Sequence, residues 1–471
     1  MMTNTNRARW AVLIALGLAF PAACTDWKNE LLQPQNPGLI DNSAVSSPAA
    51  ALALKVGALG KVKRLVSTPD CGECLWQESG NLADEFKNAD FQPDRQDIDQ
   101  RQIATNNGIL SYSQVTQIRG YLRDALNGMT AFLPTNNADI AELWMNLGFT
   151  EMQMAETYCN GIPLGKNTNG SVDYSDPSFK PLTNAEVYAV ASAHLDTALA
   201  LVPASATDAN SVAVRAAALI VKARILVDLG QQAQAAALVP TSAVPTSFQY
   251  LWTTSPSSNS DDNGIWFLNN SVSRVTVADS FDIFNGSVNI IKNNLPFASA
   301  NDPRVPVVTG KSQNLQSEDG TTPLFLQQIW KGRDDPMPMV SGLDARLIEA
   351  EGKLKAGDIA GMMTILNSLR AAPPKDGNFQ PAAMAALPTP ASQDAATSLY
   401  FREKAFWTFG RGQRLGDLRR LIRQYGRTQD NVFPTGVYFK GGQPYGKDVN
   451  FPVPDGEKVN PQFTGCIDRN A

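Results

Sequence analysis

Few side chains in this sequence are reactive, and their spacing limits the chemistry open to them. The 471 residues include five cysteines and one histidine. The first cysteine, Cys24, ends the run AVLIALGLAFPAAC, which Arg7 and Arg9 precede. That apolar stretch is too short to span a bilayer, which needs about 20 residues. A basic start, a short apolar middle and the small residues Ala22 and Ala23 read as a secretory signal peptide over 1–23. A cysteine at the cut is the acyl acceptor of a bacterial lipoprotein, so Cys24 is the expected lipidation (palmitate) site. Pro21 stands where such signals usually carry leucine. The alternative is a soluble periplasmic chain with a chance cysteine near its cut.

Four cysteines remain, Cys71, Cys74, Cys159 and Cys466. An even number in an exported chain permits two disulfides in three connectivities. The favoured set closes the CGEC loop as Cys71–Cys74 and staples the chain end as Cys159–Cys466. A metal site is disfavoured, because one CxxC pair stands alone and His194 lies far away. A single histidine also makes a His-based triad improbable, and no nucleophile elbow, P-loop or H-E-x-x-H motif occurs. The 45 acidic residues leave a glycosidase-type carboxylate pair formally open. The reading is nevertheless of a protein that is not an enzyme. No cofactor is implied. The acidic loop SDDNG at 260–264 would permit a structural calcium.

Composition agrees with a folded, exported chain. It is 43% hydrophobic and 18% charged, which is globular rather than disordered. Removing 1–23 takes two of the 40 basic residues and no acid, leaving a formal charge of −7. That balance argues against nucleic acid as a partner.

The elements that must position these residues are mainly helical. Residues 24–46 read as a polar, lipid-anchored tether and 47–471 as a single domain. Helices are expected over 47–66 and 113–133, with a polar, irregular stretch at 68–108. From Ala138 a long helix is expected to stop at Gly161. Thr183 and Glu186 form a capping-box pattern before the next helix, which carries His194 at the edge of its apolar stripe. His194 reads as packing or surface. Helices follow from Ser211 to Gly230, over QQAQAAALV, and from Ala345, where Asp358 can cap the second member of a pair. Trp144, Leu147 and Gly148 spell W-x2-L-G, and Leu226, Leu229 and Gly230 spell L-x2-L-G. These helix pairs, at about 138–240 and 341–371, resemble degenerate tetratricopeptide repeats. Trp144 and Trp407 are assigned to the core. The region at about 245–337 is loop-rich with short strands, the kind of segment that carries binding sites on a rigid scaffold.

The C-terminal segment, 397–463, holds LYFREKAFWTFGRGQRLGDLRRLIRQYGR. This resembles the signature of the RagB/SusD family of outer-membrane nutrient-binding lipoproteins, roughly E-R-x-x-E-L-A-F-E-G-x-R-W-F-D-L-R-R. Glu403, Gly412, Arg414, Asp417, Leu418, Arg419 and Arg420 fall on matching positions. Lys404, Trp407, Gly410, Leu415 and Gly416 depart from it, so a divergent branch is implied. CNGIPLG at 159–165, NDPR at 301–304, ARLIEAE at 345–351 and FPVPDGEKVNPQF at 451–463 follow in the family's order. The signature residues read as structural, with Arg414, Asp417 and Arg419 in an ion-pair network.

The resemblance implies a SusD-like, mainly α fold with long irregular loops. It implies a cell-surface lipoprotein of the outer membrane that captures an oligosaccharide, or a peptide, and delivers it to a SusC-like TonB-dependent transporter. Sugar sites pair flat aromatic faces with amides and carboxylates. The candidates are Trp76 with Asn81 and Asp84, and Tyr250, Trp252 and Trp266 in the central loops. The competing reading is a tetratricopeptide-type assembly lipoprotein that binds other proteins and no nutrient.

Overall fold

The scaffold is a series of packed helices whose ends follow capping chemistry. The computed structural model describes residues 45–68, 74–165, 172–254, 261–284 and 286–471. The expected signal peptide, the expected lipidation site Cys24 and Cys71, the expected partner of Cys74, lie outside the described residues. Residues Ser46–Ala471 pack as one unit. No helix among the described residues is long and apolar enough to cross a membrane.

Twelve α-helices occur among the described residues. In chain order they are α1 (Pro48–Val62), α2 (Leu75–Leu82), α3 (Pro93–Asp99), α4 (Tyr112–Phe132), α5 (Asn137–Thr157), α6 (Asn184–Leu201), α7 (Ala209–Asp228), α8 (Gln232–Leu238), α9 (Gly342–Lys355), α10 (Ile359–Ala371), α11 (Gln393–Trp407) and α12 (Arg414–Tyr425). Ser47 accepts from the Ala50 amide and starts α1 with Pro48 at its first position. Thr183 and Glu186 form a reciprocal capping box at α6. Asp208, Asp358 and Ser392 cap α7, α10 and α11. Consecutive helices pair as α5 on α6 and α9 on α10, and α1 packs on α4 across the intervening α2 and α3. Gly148 in α5 lets α6 approach: a Cβ there would lie 3.0 Å from the Ala191 carbonyl oxygen and 2.9 Å from Leu195. The fold is therefore the expected mainly α scaffold of helical hairpins.

Three local expectations are corrected. Of the stretch at 68–108, the described residues 74–90 are buried throughout and carry α2, and α3 follows them. Helix α5 stops at Thr157, ahead of Gly161, because Tyr158 turns extended and the Cys159 amide bonds the Phe451 carbonyl. Trp144 is half-buried and stacks on His194 at 5.0 Å between centroids, so it lies at the edge of the packing.

The strands are short and, among the described residues, form six antiparallel pairs. Gln249–Trp252 pairs with Met337–Ser341, with Trp252 opposite Met337, so the two ends of the central excursion meet in one ladder. Within it, Val275–Val277 pairs with Phe86–Asn88, with Asn88 opposite Val275. Val307–Thr309 pairs with Phe325–Gln327. These ladders satisfy backbone groups that burial would otherwise leave unpaired. They also lay the excursion against the 86–110 segment. Cys159 and Cys466 are joined by a disulfide with Cα atoms 6.0 Å apart. Beside it the Ile467 amide bonds the Asn160 carbonyl, fixing the tail to the end of α5.

Candidate functional site

The residues that resemble the family signature form a buried ionic frame. Arg414 donates from Nε (2.6 Å) and Nη2 (2.9 Å) to the Asp84 carboxylate. Lys404 Nζ and Arg420 Nη2 each reach Asp417 Oδ1 at 2.6 Å. Arg420 also holds Glu351, which accepts from the Tyr425 hydroxyl at 2.7 Å. Glu403 receives Arg304 of the NDPR segment at 2.7 Å and Arg370 at 3.1 Å, and Arg304 grips Asp302 as well. Arg419 differs from the expected ion pairing. Its guanidinium donates to the carbonyls of Ala155, Glu156 and Tyr158, where the extended turn after α5 leaves acceptors exposed. Leu418 is buried. Gly412 adopts φ +63°, and a Cβ there would fall 2.3 Å from Trp76 Cδ1. The matching motifs thus meet in space as scaffold, far apart in sequence though they are.

Burial corrects four of the six candidate ligand residues, Trp76, Asn81, Asp84 and Trp252. Trp76 is 0% exposed; its Nε1 donates to Gln153 Oε1 at 2.7 Å and its ring lies 5.1 Å from Trp252. Asn81 is buried and accepts from Gln77. Asp84 is consumed by Arg414 and the Leu295 amide. None of the three faces solvent, because every residue of α2 is buried beneath the α11–α12 segment and α5. Trp252 packs between Trp76 and Phe149 and is likewise core. Tyr250 is half-buried with its hydroxyl donating to Glu142 at 2.5 Å. Trp266 is half-buried at the start of a π-helical turn, Trp266–Ser271. Of the acidic loop, Asp262 pairs with Arg333 and Asp261 with Lys63. No group of three or more metal-type ligands occurs among the described residues. His194 Nδ1 lies 2.7 Å from the buried Glu151, which Arg119 also holds.

A cavity lies elsewhere. An open groove of about 430 Å³ runs between the lead-in to α3, the first turn of α4 and the central excursion. Phe91 lines it and is 74% exposed. Gln92, Ser113, Gln114, Arg274 and Glu318 supply polar groups around it. The volume falls within the range of ligand pockets, about 300–1,000 Å³.

Three backbone segments build this groove. The Ala89 amide donates to the Arg274 carbonyl at 2.9 Å, the Glu318 amide to the Ser273 carbonyl at 3.0 Å, and the Asp319 amide to the Ala89 carbonyl at 3.1 Å. Asp90 accepts from the Gln92 amide at 2.9 Å and pairs with Arg95 of α3. Asp94 accepts from the Gly108 amide at 2.9 Å, closing the far wall. Asp319 fastens the 317–322 turn through Thr321, Thr322 and Lys440. Burial pushes the Asp319 carboxyl up, but its bonds from Lys440 and Thr322 outweigh that and hold it well below the usual range. Burial also raises Asp90 and lowers the Arg95 guanidinium to about 10.

The sequence reading missed this groove. Its available signal was Phe91 itself, an aromatic in the polar run NADFQPDRQD immediately before a proline-started helix. Arg274 and Glu318 join it only through pairing that sequence spacing does not announce.

No protein-family model matches the chain, and no curated relative does. Solved structures do resemble it. A SusD superfamily protein from Bacteroides vulgatus superposes with TM-score 0.57 at 15% identity, covering 90% of this chain and 100% of that one. A SusD-like carbohydrate binding protein from Bacteroides fragilis gives 0.60 at 12% identity, covering 89% and 99%. A laminarin binding SusD-like protein gives 0.58 at 13%, covering 90% and 99%. At these identities the likeness establishes the fold, which is SusD-like over nearly the whole chain.

Proposed function

We propose that the chain, as a divergent member of the RagB/SusD family, captures an oligosaccharide in the Phe91 groove. It is anchored to the outer membrane through Cys24 and passes its ligand to a SusC-like TonB-dependent transporter. The SusD-like fold supports this, and two of the similar structures are named for binding carbohydrate or laminarin. The observation that carries the reading is Phe91. Its exposed ring offers a flat apolar face for one side of a sugar, while the exposed Gln92 and Ser113 can bond hydroxyls. Binding and transfer need no bond-making groups. The lone histidine is engaged by Glu151 on the half-buried α5–α6 surface and plays no part in the groove.

Calorimetric titration of the mature chain with a panel of oligosaccharides tests the capture step. Phe91→Ala should weaken the bound glycan about 10-fold, the equivalent of about 1.4 kcal/mol of lost stacking. Full affinity in that variant would remove the groove from the account. Pull-down from detergent-solubilised outer membrane tests delivery, and a TonB-dependent barrel should be recovered in near-stoichiometric amount. Its absence from the intact, lipidated protein would favour the assembly-protein reading. Cys24→Ser should release the chain to the soluble fraction, and continued anchoring would refute lipidation.

A further inference from the structure

We infer that the groove selects a sugar bearing a carboxylate, a uronic acid, and that Arg274 is the residue that selects it. The inference rests on the groove being the glycan site. Arg274 is pinned through its backbone on both sides, its amide donating to the Leu268 carbonyl at 2.9 Å and its carbonyl accepting from Ala89. Its side chain lines the groove and is half-buried. Among the described residues, no hydrogen bond or ion pair engages that guanidinium.

Other arginines of this interior behave differently. Arg95 pairs with Asp90, Arg304 with Asp302 and Glu403, Arg414 with Asp84, and Arg420 with Glu351. The fold matches these cations to acids and leaves Arg274 open on the groove wall. Its charge is felt locally: burial raises Asp90 and Arg274 opposes that rise, while burial lowers Arg95 and Arg274 adds to that lowering. A planar guanidinium fork meets a carboxylate with two parallel bonds, a geometry that neutral hydroxyls match less well.

Glu318 is the opposing charge on the rim. It is exposed, so water screens it, and it can accept a sugar hydroxyl. The arrangement favours one carboxylate at Arg274 with hydroxyls around it. It disfavours a dense polyanion, as does the formal charge of −7 left once 1–23 are removed. The acid preference is therefore local to one subsite.

The test compares short, otherwise neutral oligosaccharides that carry a single uronic acid (galacturonate, glucuronate or mannuronate in separate series) with their carboxyl-reduced, neutral counterparts, by calorimetry on the mature chain. At least one uronate series should bind about 10-fold more tightly than its reduced form. Arg274→Gln should abolish that difference by weakening the uronate series to the level of its reduced form in the same variant. Raising the salt should narrow the gap in the wild type only. Equal or tighter binding of the neutral forms overturns the inference while leaving the groove reading intact, provided Phe91→Ala still weakens them. A preference that survives in Arg274→Gln overturns the assignment to this residue. Failure of every oligomer, acidic and neutral, to bind overturns both readings together.

Discussion

Removing Asp84 separates a structural reading of the frame from a ligand-binding one. The side chains of Arg414 and Asp84 are 4% and 1% exposed and are joined by two short bonds. Asp84→Ala leaves a buried guanidinium without its partner and deprives the Leu295 amide of its acceptor. Breaking a buried pair from one side costs about 3–5 kcal/mol, because the surviving charge stays desolvated. Arg414→Met should cost about as much for the mirror reason. The double variant should be more stable than the sum of the two losses by about 2–3 kcal/mol, since neither charge is then stranded. Urea denaturation of the mature chain and the three variants measures each value. Additive losses below about 1 kcal/mol each would refute the argument. Loss of glycan binding in Asp84→Ala with stability intact would restore Asp84 to the ligand site.

Acid–base behaviour and backbone geometry give two more tests. Burial raises the Glu78 and Glu85 carboxyls to about 8, well above their ordinary value near 4.5, against weaker pulls from Ser111 and the Gly410 amide. Between those limits the folded chain holds protons that the unfolded chain has released, so this contribution is complete below about pH 4.5 and lost as pH rises through about 8. The urea midpoint should therefore fall from pH 5 to pH 8, and Glu78→Gln with Glu85→Gln should flatten the slope; a flat wild-type profile would contradict it. Gly412→Ala should destabilise by about 3 kcal/mol or more, combining a left-handed backbone cost with displacement of the Trp76 ring; a melting temperature within a degree of wild type would contradict that packing.

Much of the scaffold was legible because its signals are local. The capping box at Thr183 and Glu186, the Asp358 cap and the close-packing Gly148 each act within a few residues or across one hairpin. What escaped was set by distant partners. Helix α2, LWQESGNL, has too many polar residues to read as buried. It is buried because Glu78 meets Ser111, Trp76 meets Gln153, and Gly412 makes room for the indole. Tyr158 ended α5 early because Phe451, nearly 300 residues on, supplied a backbone partner. The candidate site failed for the same reason. Aromatic type suggested Trp76 and Trp252, but exposure decides which rings can stack on a sugar, and exposure is a tertiary property. Phe91 and Arg274 share the groove only because Asn88 pairs with Val275 in a three-residue ladder.

Hydrogen exchange followed by mass spectrometry, with and without a bound oligosaccharide, tests the central claim most directly. The account predicts slowed exchange in the 89–95 lead-in, at 108–114 and around 273–274 and 318–319, with 249–254 and 261–266 unchanged. Protection confined to the Tyr250, Trp252 and Trp266 segments would contradict it and return the site to the central loops.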